Sequence, residues 1–221
     1  LNQEEAISGA DFVVSQFRVG GLDARIRDEK IPLKYGVIGQ ETTGPGGFAK
    51  ALRTIPVIMN ICKDIQRLAP SAWLINFTNP SGIITETVLN HTKVKAVGLC
   101  NVPVNMINYV AQVFEVQMER VYIEFAGLNH LVWGQKIYLD GEDVTEKLLD
   151  ILITGKNFTM KNIPDLIWDK DLIKSLGMLP CPYHRYYYMS DKMLEEEIKE
   201  ASSEGTRGEV VKNIEKELFK L

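Results

Sequence analysis

Short apolar runs alternate along this chain with longer stretches whose apolar positions recur every three or four residues, a rhythm that predicts strands and helices in turn. Leu1 to Gly9 reads as the end of a helix, with Gly9 placed as a C-cap. Asp11 to Val19 is β-branched and aromatic, a strand closed by Gly20-Gly21 with Arg18 near its carboxyl end. Gly21 to Glu29 has helical composition, yet Pro32 follows closely, so about one or two turns carrying Arg25 are expected. The glycines and proline between Tyr35 and Gly47 predict a loop, with Glu41 its only carboxylate. From Phe48 to Ala69 the stripe Ala51, Leu52, Ile55, Ile58, Met59, Cys62, Ile65 and Leu68 marks an amphipathic helix with Cys62 in the core. Ala72 to Phe77 is a strand, Thr78-Asn79-Pro80-Ser81-Gly82 a polar turn, and Ile83, Ile84, Thr87, Val88 and Leu89 the apolar side of a further helix.

Two apolar runs end in reactive side chains. Val94 to Asn101 carries Cys100, and Val121 to His130 closes on His130. Between them Pro103 and the spacing Val104, Ile107, Val110, Ala111 and Phe114 predict a crossover helix. That connection would make the two strands neighbours or near-neighbours in one parallel sheet. Ligands of such sheets bind beyond the carboxyl ends of the strands. Arg18, Asn76 to Asn79, Cys100 with Asn101, and His130 would then face one crevice. A thiolate and an imidazole meeting there suit a soft or borderline divalent metal with open coordination positions. The ordinary alternative is a buried cysteine and a hydrogen-bonded histidine, and for Asn79 a turn residue before proline.

After His130 the rhythm changes. Val132 to Leu139 alternates as a strand ending at Asp140-Gly141, Glu142 to Thr154 reads as a helix, and Asn157 to Lys170 as mixed loop. The aromatic run from Pro180 to Met189 includes Tyr183, Tyr186, Tyr187 and Tyr188, and packing alone would make it an aromatic helix with hydroxyls reaching the surface. Helical patterns resume from Met193 to Lys199 and from Glu209 to Phe219, with a break from Ser202 to Gly208. The expected architecture is an α/β fold: a partial Rossmann-like parallel sheet over residues 1–128, then the start of an α+β catalytic or substrate domain over 129–221.

Charge and cysteine content narrow the partners. At 221 residues and a net charge of -4, with no basic stripe, the chain argues against nucleic acid and leaves any anionic ligand to a few placed arginines. Three widely spaced cysteines are no disulfide framework and fit a reducing cytoplasm. Neither a signal peptide nor an apolar run of membrane-spanning length is evident, so a soluble protein is expected.

Six blocks, in order and with matching spacing, resemble glycoside hydrolase family 4. They are Phe17-Arg18-Val19-Gly20-Gly21, the run from Gly39-Gln40-Glu41 to Gly46-Gly47, Asn76-Phe77-Thr78-Asn79-Pro80, Gly98-Leu99-Cys100-Asn101, Gly127-Leu128-Asn129-His130 and Thr206-Arg207-Gly208-Glu209. The resemblance implies a malate-dehydrogenase-like fold, NAD and a divalent metal, usually manganese, and hydrolysis of 6-phospho-β-glucosides through oxidation at C3, proton abstraction at C2, elimination and water addition. Family 4 stands outside the two-carboxylate scheme of other glycosidases. By motif, Cys100 and His130 are implied as metal ligands and Tyr183 as the C2 base. A free phenol titrates near ~10, so that role needs a nearby cation or metal. Glu41 matches a carboxylate thought to raise the tyrosine's basicity, and Arg25, Asn79 and Arg207 match substrate-binding positions, the arginines suiting a sugar 6-phosphate.

Two departures stand out. The glycine-rich dinucleotide fingerprint is absent, which leaves the NAD-binding residues unknown and suggests a fragment. Asn101 occupies the place of an aspartate proposed as leaving-group acid in α-specific members, so that acid is unassigned. A homodimer or tetramer is common for this fold. Competing readings are a metal-free 2-hydroxy-acid dehydrogenase and a catalytically silent sugar-phosphate-binding module.

Overall fold

The computed structural model describes residues 2–154, 160 and 163–220. Contacts divide the chain into two units, Leu1–Cys100 with Leu194–Leu221, and Asn101–Met193. In the first, α1 (Gln3–Ile7) is capped by Asn2, whose side chain accepts from the Glu4 and Glu5 N–H groups. It leads into β1 (Phe12–Ser15), α2 (Gly21–Lys34), α3 (Gly44–Leu68), β2 (Trp73–Asn76), α4 (Ser81–His91) and β3 (Lys95–Gly98). The strands pair in parallel in the order β1-β2-β3, with Val13, Leu74 and Ala96 in one row and Ser15, Asn76 and Gly98 in another. Leu74 packs with Ile58, Cys62 and Ile65 of α3 and with Ile84 and Val88 of α4 to form the core. The opposite face carries Phe12, Val14, Trp73 and Val97, all exposed, although parallel sheets are ordinarily covered on both sides.

Two helices differ from expectation. α2 runs through Pro32 to Lys34 instead of stopping after a turn or two. Its buried side consists of Ala24, Arg25, Asp28, Glu29 and Pro32, so hydrophobic periodicity carries almost no trace of it. α3 begins at Gly44, inside the expected loop, with Pro45 in its first turn. The glycines serve close approach there: a Cβ on Gly46 would lie 2.4 Å from the Gln40 carbonyl oxygen and 2.6 Å from that of Asp28.

In the second unit α5 (Val102–Phe114) carries Pro103 in its first turn, and a 3-10 turn over Met118–Arg120 precedes β4 (Val121–Leu128). β4, β5 (Leu131–Leu139) and β6 (Glu142–Asp143) form an antiparallel sheet, followed by α6 (Thr145–Ile153) and α7 (Lys170–Leu176). β7 (Leu179–Pro180) pairs with β5, then come a 3-10 turn at Pro182–His184 and α8 (Arg185–Tyr188). The expected common sheet for the strands before Cys100 and His130 is therefore corrected: β3 is parallel and β4 antiparallel, in separate sheets. Leu128 pairs with Leu131, which leaves Asn129-His130 as a two-residue hairpin turn with Asn129 left-handed at φ 45°. The mixed loop expected over Asn157 to Lys170 lies partly outside the described residues.

The tyrosine run is not one helix, and its members differ, since Tyr183 and Tyr186 are buried whereas Tyr187 and Tyr188 are about half exposed. α9 (Ser190–Ser203) and α10 (Arg207–Leu218) follow, and α10 lies against α2, where Lys30 meets Glu209 at 2.6 Å and Lys212 pairs with Asp23.

Candidate active site

Beyond the carboxyl ends of β1 and β2 the backbone is tied by small polar side chains. Asn76, fully buried, accepts from Ser15 Oγ at 2.8 Å and from the Thr78 N–H at 3.0 Å, and its amide donates to the Thr78 carbonyl and to Thr85 Oγ1. Thr78 Oγ1 in turn accepts from the Phe17 N–H, and Ser81 Oγ donates to the Leu99 carbonyl at 3.3 Å. This network holds together the three stretches that follow the strands, and with them Arg18, Asn79 and Cys100 on one edge. Asn79 precedes Pro80 through a cis peptide bond. Asn76 thereby has a structural role, and Ser15 and Ser81 were not anticipated because hydroxyls near strand ends are too common to signal anything.

Glu41 leaves the glycine-rich loop into a nest of cations. Lys50 Nζ stands 2.8 Å from one carboxylate oxygen, Arg25 lies 3.2 Å from the other, and Arg18 is also hydrogen-bonded. Burial alone would raise its pKa, but Lys50, Arg25 and Arg18 outweigh it and hold the carboxyl at about 2. Glu41 is accordingly ionised throughout the physiological range and acts as fixed charge. Burial draws the Lys50 ammonium below the usual lysine range, with Glu41 opposing. Arg25 also donates through Nε to Glu29 at 2.7 Å, and the other Glu29 oxygen accepts from the Gly208 N–H at 2.7 Å. Next to it Arg207 has a buried Nε with no hydrogen-bond partner among the described residues, an unmet donor of the kind an oxyanion satisfies. Motif matching had singled out Arg25, Glu41 and Arg207. It missed Lys50 and Glu29, which lie within ordinary helical sequence.

In the second unit the hairpin turn and the segment after β7 come together. The imidazole of His130 stacks on the Tyr183 ring with centroids 3.4 Å apart and planes 8° from parallel, both side chains being buried. Pairing of Trp133 with Pro180 sets this register, and the buried Cys181 thiol donates to the His130 carbonyl at 3.2 Å. Stacking engages the ring face, whereas metal ligation uses an edge nitrogen, so the two are compatible. Cys100, half-buried beyond β3, is in no disulfide. A thiolate and an imidazole are donors that suit a divalent cation with open positions. Among the described residues no group of three or more His, Cys, Asp or Glu side chains gathers into a metal site. Next to Tyr183, His184 is fully buried with neither ring nitrogen hydrogen-bonded among the described residues, and its ring lies 3.8 Å from that of Trp133. Burial lowers its pKa to about 4.

Two family descriptions match this sequence: "Family 4 glycosyl hydrolase" over residues 1–116 and "Family 4 glycosyl hydrolase C-terminal domain" over residues 125–221. The chain belongs to glycosyl hydrolase family 4. It is 53% identical over its whole length to a probable 6-phospho-beta-glucosidase of Bacillus subtilis, of which it covers 50%. It also matches the 6-phospho-beta glucosidase of Thermotoga maritima, solved with manganese, NAD+ and glucose-6-phosphate, at 43% identity and a TM-score of 0.86 over 99% of this chain and 51% of that one. The chain thus spans about half the length of the relatives it matches. A lactate dehydrogenase of Eimeria maxima aligns over 86% of this chain and 56% of that one with a TM-score of 0.51 at 17% identity, a likeness of fold alone that agrees with the expected Rossmann-like α/β architecture.

Proposed function

We propose that this chain is part of a 6-phospho-β-glucosidase that releases glucose 6-phosphate by oxidation at C3, proton abstraction at C2, elimination of the aglycone, addition of water and return of the hydride to C3. The stacking of His130 on Tyr183 supports the reading most, because it brings an implied metal ligand and the implied base into contact. Cys100 and His130 would hold the divalent cation, manganese in the first instance. When bound, NAD supplies reversible oxidation at C3, and the cation withdraws charge from the C2 and C3 oxygens.

The chain's own residues do the rest. Tyr183, as phenolate, takes the C2 proton once C3 is a ketone, and the electron pair left at C2 expels the aglycone. Glu41, whose carboxyl stays ionised above about pH 2, is the carboxylate assigned by motif to raise the tyrosine's basicity. Arg25 and Arg207 bind the 6-phosphate and Asn79 a sugar hydroxyl. Residues 1–128 serve as the remainder of the NAD-binding domain and 129–221 as the start of the catalytic domain.

No helix among the described residues is long and apolar enough to cross a membrane. Cytoplasmic residence and a homodimer or tetramer complete the proposal. The direct test is hydrolysis of a chromogenic 6-phospho-β-glucoside by the complete protein. Turnover should require both NAD and manganese, and turnover in the absence of either contradicts the mechanism.

A further inference from the structure

We propose that Glu29 is a positioning residue that sets Arg25 and the Thr206-Arg207-Gly208 turn against each other as one receptor for the substrate's phosphate; this rests on the phosphate-binding reading of the two arginines. The observations are local to α2 and the start of α10. Glu29 is 3% exposed, and each of its oxygens accepts one donor, Arg25 Nε at 2.7 Å and the Gly208 N–H at 2.7 Å. The carboxylate therefore orients the guanidinium from behind, through Nε, while one terminal nitrogen meets Glu41 at 3.2 Å. It also fixes the peptide immediately after Arg207, whose own Nε is buried and without a hydrogen-bond partner among the described residues. Gly208 lies close against the same groups, since a Cβ there would lie 2.9 Å from a Glu29 oxygen and 3.3 Å from Arg25 Cγ and would push the carboxylate aside. Lys30 with Glu209 and Lys212 with Asp23 hold the helices in this relation at the surface, where such pairs contribute little on their own.

A carboxylate suits this place for a chemical reason. It is acceptor-only, so both oxygens can receive N–H donors. An amide has one acceptor and one donor, so glutamine at this position turns one of the two contacts into donor against donor. Either Arg25 or the turn carrying Arg207 is released, and phosphate affinity falls without change at the sugar's reacting carbons.

The experiment uses the complete enzyme with NAD and manganese and compares Glu29→Gln, Arg25→Met and the double variant on a 6-phospho-β-glucoside. The expected result is a KM raised on the order of tenfold in Glu29→Gln, a kcat within about threefold of the wild type, and a double variant no worse than Arg25→Met. Weakened binding of glucose 6-phosphate should accompany it. If Arg25→Met raises KM and Glu29→Gln does not, or if the two effects multiply, Glu29 does not act through Arg25 and the proposal is overturned. If Arg25→Met leaves KM unchanged, the arginine reading fails and the proposal falls with it, a result recognisable by which variant is silent. Should Glu29→Gln not fold, Gly208→Ala tests the same contact by displacing the carboxylate, and an unchanged KM there overturns the proposal.

Discussion

Burial of His184 makes the second unit's stability depend on pH. Its imidazole is held neutral, with a pKa lowered from 6.5 to about 4. Between those values the unfolded chain binds a proton that the folded chain does not, so stability falls as pH falls through that window, by up to about 3 kcal/mol. Chemical denaturation at pH 5 and pH 7.5 should show the difference, and His184→Phe should remove most of it; an equal pH dependence in the variant would contradict this origin. Glu41 behaves differently, since its pairings persist until pH drops through about 2. For the metal, Cys100→Ser and His130→Ala should each abolish manganese-dependent activity while circular dichroism stays that of the wild type. Full activity in either variant would remove it from the ligand set. Cys100, His130 and Tyr183, proposed as metal ligands and base, could be singled out in the sequence because they sit in recognisable motifs. Lys50, Glu29 and His184 were not, because their significance lies in what surrounds them after folding.

At the scale of elements, apolar rhythm served where a helix covers the sheet and failed where burial is polar. The stripe through Ile58, Cys62 and Ile65 located α3 and its core face, and all three are buried. α2 was expected as only one or two turns because Arg25, Asp28 and Glu29 form its buried side, stabilised by ion pairs that no periodicity reports. The β4–β5 hairpin escaped notice, since Asn129-His130 lacks the glycine that commonly marks a two-residue turn and the apolar run before it looked like a parallel strand. Gly46 tests the reading of the α3 start. Gly46→Val would drive a side chain into the Gln40 and Asp28 carbonyls, which are backbone and cannot move aside, and should cost about 1–3 kcal/mol in a denaturation experiment. A loss below a few tenths would show that the close approach is not required.

At the scale of the molecule, the residues proposed for the chemistry come from two units. A parallel sheet presents Arg18, Asn79 and Cys100 at the edge where such sheets bind ligands, and an antiparallel sheet presents His130 against Tyr183. The α/β class and the ligand edge followed from the alternation of strands and helices. The stacking of imidazole on phenol did not, because it depends on pairing between β5 and β7, segments far apart in sequence. Tyr183 is proposed to remove the C2 proton. Turnover of a 6-phospho-β-glucoside by the complete enzyme in deuterated water, with the released glucose 6-phosphate analysed for deuterium at C2, measures that step directly. Deuterium at C2 is expected with the wild type and with Tyr187→Phe and Tyr188→Phe, and a steep loss of exchange with Tyr183→Phe, which keeps the ring but has no oxygen to accept the proton. Exchange at the wild-type rate in Tyr183→Phe, or no deuterium at C2 in the wild type, would contradict it.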